Sequence, residues 1–351
     1  TAGGFPLLHI ETADYLVPTE ITTKATSNLG IGIGAVDAIT TGDYNVGFGD
    51  NALTSTTTGT HNSASGFSAL GDNTTGTHNS ASGFQALTSN TTGGYNTSVG
   101  TSALAANTTA SNNSGFGYNA LKLNTTGVQN SAFGLQALAA NTTGTELVAL
   151  GYEALKSNTT GHTNVAVGNE ALELNTTASN NTAIGGKGLR ANTTGAQNSA
   201  FGANALKANT TGSYNNAFGS GALNLATTGT NNTAVGYAAL DALTTAGETC
   251  AFGSGALGAL TTGVRNNAFG YQACSSVTTG ADNMGFGYHA LQAVTTGTWN
   301  EGFGYGALYT CTTGIGNTVM GAHAGWTLTT GVQNTCIGYA AAYNLSTGSY
   351  N

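Results

Sequence analysis

The sequence predicts an all-β chain, a parallel β-solenoid or β-roll of about nineteen 17-residue coils. Three observations carry that expectation. A glycine recurs every 17 residues, at Gly49, Gly66, Gly83, Gly100, Gly117, Gly134 and onward to Gly338, eighteen positions with no insertion or deletion. Gly makes up 54 of 351 residues and charged residues only 6%, where ordinary globular chains carry about 7% Gly and about a quarter charged residues. Short stretches of β-branched and aromatic residues alternate with small ones, a period of two that belongs to strands.

The unit reads T-T-G-x-x-N-x-A-φ-G-x-x-A-L-x-x-x, with φ usually Phe, Val or Ile. Its positions are numbered 1 to 17 from the first Thr. Units begin at Thr40, Thr57 and every 17 residues to Thr329, so full units fill 40–345. Residues 23–39 form a degraded first unit, in which Thr23, Asn28 and Ala35 fit while Lys24 and Ala25 do not. Residues 346–351 open one more unit and stop at Asn351. Residues 1–22, which hold both prolines (Pro6 and Pro18), read as a non-repeat connector or attachment segment ahead of a 23–351 shaft. The chain starts at Thr1 without Met and shows no capping unit, and is expected to be part of a longer protein.

A helical hairpin does not fit 17 residues with two glycines, because each Gly costs a helix about 1 kcal/mol relative to Ala. Two short extended pieces per unit are expected instead, N-x-A-φ-G (as in Asn232–Gly236) and x-A-L-x (as in Ala239–Leu240), joined by turns at T-T-G and at Gly. A fixed period means each unit forms one coil and stacks on the last. Coils about 4.8 Å apart give a rod roughly 90 Å long.

Stacking places residue i over residue i+17, so each column is a ladder. Like charges every ~4.8 Å would repel, whereas identical amide or apolar side chains stack well. The column Asn45, Asn62, Asn79, Asn96, Asn113, Asn130 breaks only at Leu147 and Thr249, and reads as a structural amide ladder. The T-T-G glycine, replaced by Ala at 110, 178 and 246, reads as a turn residue with positive φ. Two large apolar ladders decide the packing: Leu53, Leu70, Leu87 and onward, and the φ column with Phe116, Phe133, Phe201 and Phe218. Each buried side chain of this kind is worth about 1.5–3 kcal/mol. The opposite parity, Asn-Ala-Gly, is small and flat. The sequence leaves open which face lies inside a thin coil; the other should meet sister chains, giving a homo-oligomer, with a trimer favoured. Phe201→Asp is expected to destabilise the rod and Gln197→Asp is not. Position 17 is Asn from Asn73 to Asn209 and turns apolar from Ala226 onward, which suggests two segments of one rod. The resulting Asn-Thr-Thr triplets match the glycosylation sequon, and in a secreted eukaryotic chain would form a regular glycan array.

Little in the chain points to chemistry. His61 and His78 are stacked equivalents and could pair on a metal, but no acidic or Cys column accompanies them; exposed turn residues are the plainer reading. Cys250, Cys274, Cys311 and Cys336 occupy four different repeat positions, contain no C-x-x-C, and read as small hydrophobes. Acids show no calcium-loop spacing and no paired-carboxylate column, and Gly30–Gly34 opens no helix that would make it a phosphate loop. No catalytic residue, metal or cofactor is expected, and the chain does not read as an enzyme. A thinly spread net charge of −8 argues against nucleic acid, and no apolar run nears the ~18–20 residues that span a bilayer. Ligand contacts are best placed at the variable position 5, with Tyr44, Tyr95, Tyr214 and Trp299 as candidates for stacking on a surface glycan. The aromatic column at position 11 (Phe67, Phe84, Tyr118 and onward) reads first as ladder packing.

The units N-T-A-V-G-Y-A-A-L (232–240), N-T-A-I-G (181–185) and N-V-A-V-G (164–168) resemble the head repeats of trimeric autotransporter adhesins of the YadA type. The whole of 23–351 is similar to arrays in phage tail-fibre proteins, although the adhesin coils are a few residues shorter. The resemblance implies a trimeric parallel β-roll, a virion-surface or extracellular location, and a role in attachment. The leading expectation is therefore a viral tail-fibre shaft that spaces or presents a receptor-binding tip. The alternative is a bacterial surface adhesin or extracellular filament subunit. An ice-binding solenoid is a poor third, because Thr40 and Thr41 are adjacent and should point to opposite sides.

Overall fold

The computed structural model describes residue 25 and residues 27–351. The expected 1–22 segment lies outside these residues. Nineteen three-residue strands run from β1 (Leu29–Ile31) and β2 (Val46–Phe48), at 17-residue intervals, to β19 (Thr335–Ile337), with no helix among the described residues. Each strand pairs in parallel with the next, and the register is 17 throughout: Leu29 faces Val46, Ala200 faces Ala217, and Phe303 faces Met320. All nineteen form one sheet along the axis of a β-solenoid. Stacked ring centroids 4.4–4.8 Å apart at Phe269–Phe286, Phe116–Phe133 and Phe201–Phe218 match one sheet rung per coil.

Only positions 7–9 are strand. The x-A-L-x piece, expected to be extended, is part of a continuous turn. Its backbone still reaches the next coil: the Leu53 N–H donates to the Ala69 carbonyl at 3.1 Å, and the Leu70 N–H to Ala86 at 3.0 Å. The reason it is not a strand is a side-chain demand. Positions 13 and 14 both point inward, as Ala52 and Leu53 do at 0% exposure, and a strand cannot send consecutive residues to one side. The chain solves this with left-handed backbone at positions 12 and 14, for example Asn51 at φ 59° and Leu53 at φ 57°. Such a conformation costs a non-glycine residue about 1–2 kcal/mol. Two such residues per coil cost about 2–4 kcal/mol; burying the leucine returns about 1.5–3 kcal/mol, and the hydrogen bonds from this turn to the next coil add to that return.

The glycines divide by cause. At position 10 they sit at φ 120–141°, which favours Gly. The T-T-G glycine was expected to need positive φ and does not take it. Its constraint is space: a Cβ on Gly59 would lie 2.5 Å from the Gly76 carbonyl oxygen of the next coil.

The inside of the coil is lined by the small face. The position-8 alanines Ala132, Ala149, Ala166 and Ala200 are fully buried, together with the position-14 leucines. The φ column lies outside: Phe133, Leu150 and Phe218 are about 40–50% exposed, and Phe116 and Phe201 are half-buried on the same outer face. The expectation that Phe201 is a core residue of the rod is therefore corrected. A core filled by the alanines of positions 8 and 13 and the leucine of position 14 has no room for a second large ladder. Volume is traded inside it, since Val319 at position 8 meets Gly325 at position 14 of its own coil.

Replacing Ala217, at the centre of β12 (Asn216–Phe218), by Leu overfills this core. Unfolding free energy from denaturant titration is expected to fall by about 1–3 kcal/mol, while Gln197→Asp on the exposed turn stays within about 0.5 kcal/mol of the parent.

Candidate functional site

Two columns of buried amides run up the interior. At position 6 each Asn contacts both neighbouring coils. The Nδ2 of Asn62 donates to Asn45 Oδ1 below at 3.0 Å and to the Gly76 carbonyl above at 2.8 Å, while Asn62 Oδ1 accepts the backbone N–H of Asn79 at 3.0 Å. Asn45, Asn79 and Asn96 repeat the pattern, and Asn113 and Asn130 reach the Asn below through the backbone N–H while their Nδ2 keeps the carbonyl above, all at 0–1% exposure. Where Leu147 interrupts, its backbone N–H still uses Asn130 Oδ1 at 3.1 Å.

The second amide ladder, at position 17, emerges only from the fold. Asn90 donates to Asn73 Oδ1 at 2.8 Å, and the chain of contacts continues to Asn209 on Asn192 at 2.8 Å, each Nδ2 also reaching the T-T-G carbonyl or its Ala equivalent three residues on. These are the Asn of the Asn-Thr-Thr triplets. They are fully buried, so a glycan array on the folded rod is ruled out. The polar-to-apolar switch after Asn209 has a physical signature: Asn209 Oδ1 is buried with no partner, because the next coil offers Ala226. At the ladder's other end Thr56 Oγ1 is likewise buried without a partner.

The outer surface holds the remaining candidates. At position 9 the residues of coils 2 to 19 are apolar except Ser65 and Ser82, and at position 7 the only ionisable carboxylate is Glu301. Together they make a nearly uncharged, half-exposed stripe along the sheet. Position 5 is exposed with φ near 60°, and carries Tyr44, Tyr95, Tyr214 and Trp299 at 54–62% exposure. Tyr44, His61, His78 and Tyr95 form one stack with centroids 4.8–4.9 Å apart, so the two tyrosines are the ends of a four-ring column. Further along this column Arg265 clamps Asp282 through Nε at 2.7 Å and Nη2 at 3.0 Å. This guanidinium holds the Asp282 carboxyl below its ordinary range, and the Trp299 indole N–H lowers it further. A second aromatic group lies near the C-terminal end, where Tyr309, Trp326 and Tyr343 stack and the Trp326 ring lies where a Cβ on Gly306 would be.

Most of the remaining charge gathers on the corner made by positions 12 and 15. Lys156 meets Glu153 at 2.9 Å, and Arg190 meets Glu173 at 2.6 Å and Glu170 at 2.9 Å. Lys156 draws the Glu153 carboxyl below its usual range. Among the described residues no group of three or more His, Cys, Asp and Glu could hold a metal, and no helix is long and apolar enough to cross a membrane. The two Thr columns differ: position-1 hydroxyls are spent on the next coil's backbone, as in Thr74 Oγ1 to the Thr91 carbonyl at 2.9 Å, while position 2 is exposed.

No protein-family model, curated protein or solved structure matches the chain.

The thiols follow from this packing. Burial pushes Cys274 up to about 12 and Cys311 up to about 11, whereas Cys250 is half-exposed on the outer strand face. At neutral pH an aromatic disulfide reagent is expected to titrate Cys250 first and to reach Cys274 and Cys311 only on denaturation. The buried ladder is checked separately: Asn192→Ala strands the Asn175 oxygen and removes one of the two acceptors of the Asn209 amide, and should cost about 1–3 kcal/mol in a denaturant titration, while Ala226→Asn gives Asn209 a donor but turns its own oxygen toward Leu243, and should leave the melting temperature unraised.

Proposed function

We propose that the chain is the shaft of a viral tail fibre, lying on the virion surface, which spaces or presents a host-receptor-binding tip. One observation supports this reading above the others: a single in-register parallel sheet of nineteen strands along one rod. Every backbone rung bridges adjacent coils, so bending the rod strains many hydrogen bonds at once. A low-charge solenoid of constant pitch suits a rigid spacer, and the proposal assigns no catalysis to it.

The same reading includes self-association. Copies meet through the outer face of the sheet, three to a fibre, three being the number the repeat resemblance implies. That stripe is roughly 90 Å long and about 10 Å wide, from strand spacing and rise. Shared between two neighbours, the resulting ~900 Å² per copy gives each pair about 450 Å² a side, below the ~800 Å² of a standard two-body interface, so the trimer holds as a set of three joint contacts rather than as separate pairs. A patch of this size on a lone chain marks a contact surface. Covering it would bury the phenylalanine ladders that the narrow coil leaves outside.

Light scattering at micromolar concentration is expected to give three times the chain mass. Phe201→Asp combined with Phe218→Asp is expected to leave the circular dichroism of the rod unchanged and to yield monomers. A monomeric parent chain would refute the assembly.

A further inference from the structure

We infer that the chain carries a binding notch for one neutral pyranose ring of a glycan, formed by Trp299, Gly316 and Gln333 on consecutive coils. This inference does not rest on the shaft reading, since the notch lies at the turn rather than on the sheet face.

Position 5 carries a side chain in every coil from Tyr44 to Tyr350 except one, Gly316. Its neighbours on the two sides are Trp299, 62% exposed, and Gln333, also exposed. The missing side chain leaves a gap one coil wide. A Cβ built on Gly316 would find only Gln333 within 4 Å, at 3.3 Å, so the space on the Trp299 side is open. Trp299 and Gln333 are rooted two coils apart, about 9.6 Å. A ring held in van der Waals contact with both walls needs about 7–8 Å, which leaves space for a puckered sugar.

The backbone beneath is tied from coil to coil: the Gly316 N–H donates to the Thr298 carbonyl at 3.0 Å and the Gln333 N–H to the Ile315 carbonyl at 2.9 Å. Among the described residues, bridges outside the named strands occur only at Thr298–Ile315, Ile315–Val332 and Val332–Ser349, directly beside the notch residues. Ile315, 41% exposed, adds an apolar side to the gap. Two residues along the chain from Trp299 and Gly316 lie Glu301 and Thr318, whose hydroxyl is 3.4 Å from Glu301 Oε2.

This set matches a pyranose better than an aromatic peptide side chain. A sugar ring joins an apolar C–H face to a rim of hydroxyls. The indole suits the face, as an aromatic wall with a large apolar surface. The Gln333 amide supplies donors and an acceptor for the rim. The nearest cation on this column, Arg265, is already clamped to Asp282, so no free cation stands on the column to pair with an acidic sugar.

The test uses the full chain with Trp326→Phe, which leaves Trp299 as the only indole of the two in the sequence. Its emission is titrated with methyl glucoside, methyl galactoside, methyl N-acetylglucosaminide, methyl glucuronide and phenylalanine amide. At least one neutral pyranoside is expected to give a saturable change in the millimolar range, and the glucuronide none. Gly316→Gln then fills the gap with a residue that the same backbone accepts at Gln129, Gln197 and Gln333, all at φ 53–60°. It should keep the melting temperature and weaken sugar binding about tenfold or more, the loss expected when a ring contact of this kind is blocked. Binding of no pyranoside, undiminished binding by Gly316→Gln, or saturation by phenylalanine amide alone would each overturn the assignment.

Discussion

The buried amide ladder at position 6 is the interaction on which the rest of the rod depends. Asn62 and its equivalents bond both to the coil below and to the coil above, inside a core with no solvent to substitute. An unpaired amide there would cost about 1–3 kcal/mol, so neighbouring coils must keep the same phase. That requirement fixes the 17-residue register, and the register in turn produces every other column. It also explains the scarcity of charge: a side chain in this architecture is always ~4.8 Å from its equivalents. Where charge does collect, around Glu153, Lys156, Glu170, Glu173 and Arg190, it comes with both signs on neighbouring rungs.

The thin coil has a second effect. Its interior holds two alanines, one leucine and the side chains of positions 6 and 17 in a typical coil, and the leucine is accommodated only by a left-handed backbone. The larger apolar residues are left on the outside of the sheet. A monomer therefore has a sealed core and an apolar outer face, which in most folds would be a contradiction. Here it separates two jobs: Ala and Leu hold the coil together, and the Phe ladders are available for contacts between molecules.

Much of this was legible in the sequence. The period, the parallel stacking and the Asn45 ladder follow from spacing alone, because an uninterrupted repeat leaves a chain few other ways to bury its apolar residues. The inward face was not legible. Alternation in V-A-V or S-A-F is symmetric under exchange of sides, and only the volume inside the closed coil decides that Ala200 points in and Phe201 points out. The Ala-Leu piece misled for a related reason, since two adjacent inward residues demand backbone angles that propensity assigns to Gly. The position-17 ladder looked like a row of turn residues, and nothing short of the fold shows Asn73 to Asn209 facing the interior. The notch at Gly316 was in plain sight as a single exception in a column, but its meaning needed the neighbouring coils to be placed.

One consequence of the uninterrupted repeat concerns how such a molecule changes size. A unit presents the same donors and acceptors on its lower side, and the same donors and acceptors on its upper side, as the units next to it. Inserting or removing a whole unit therefore rejoins matching surfaces, whereas gaining or losing a single residue breaks the match at that junction. Reach is adjustable only in fixed steps, and a genome can set it by copying one short coding word more or fewer times.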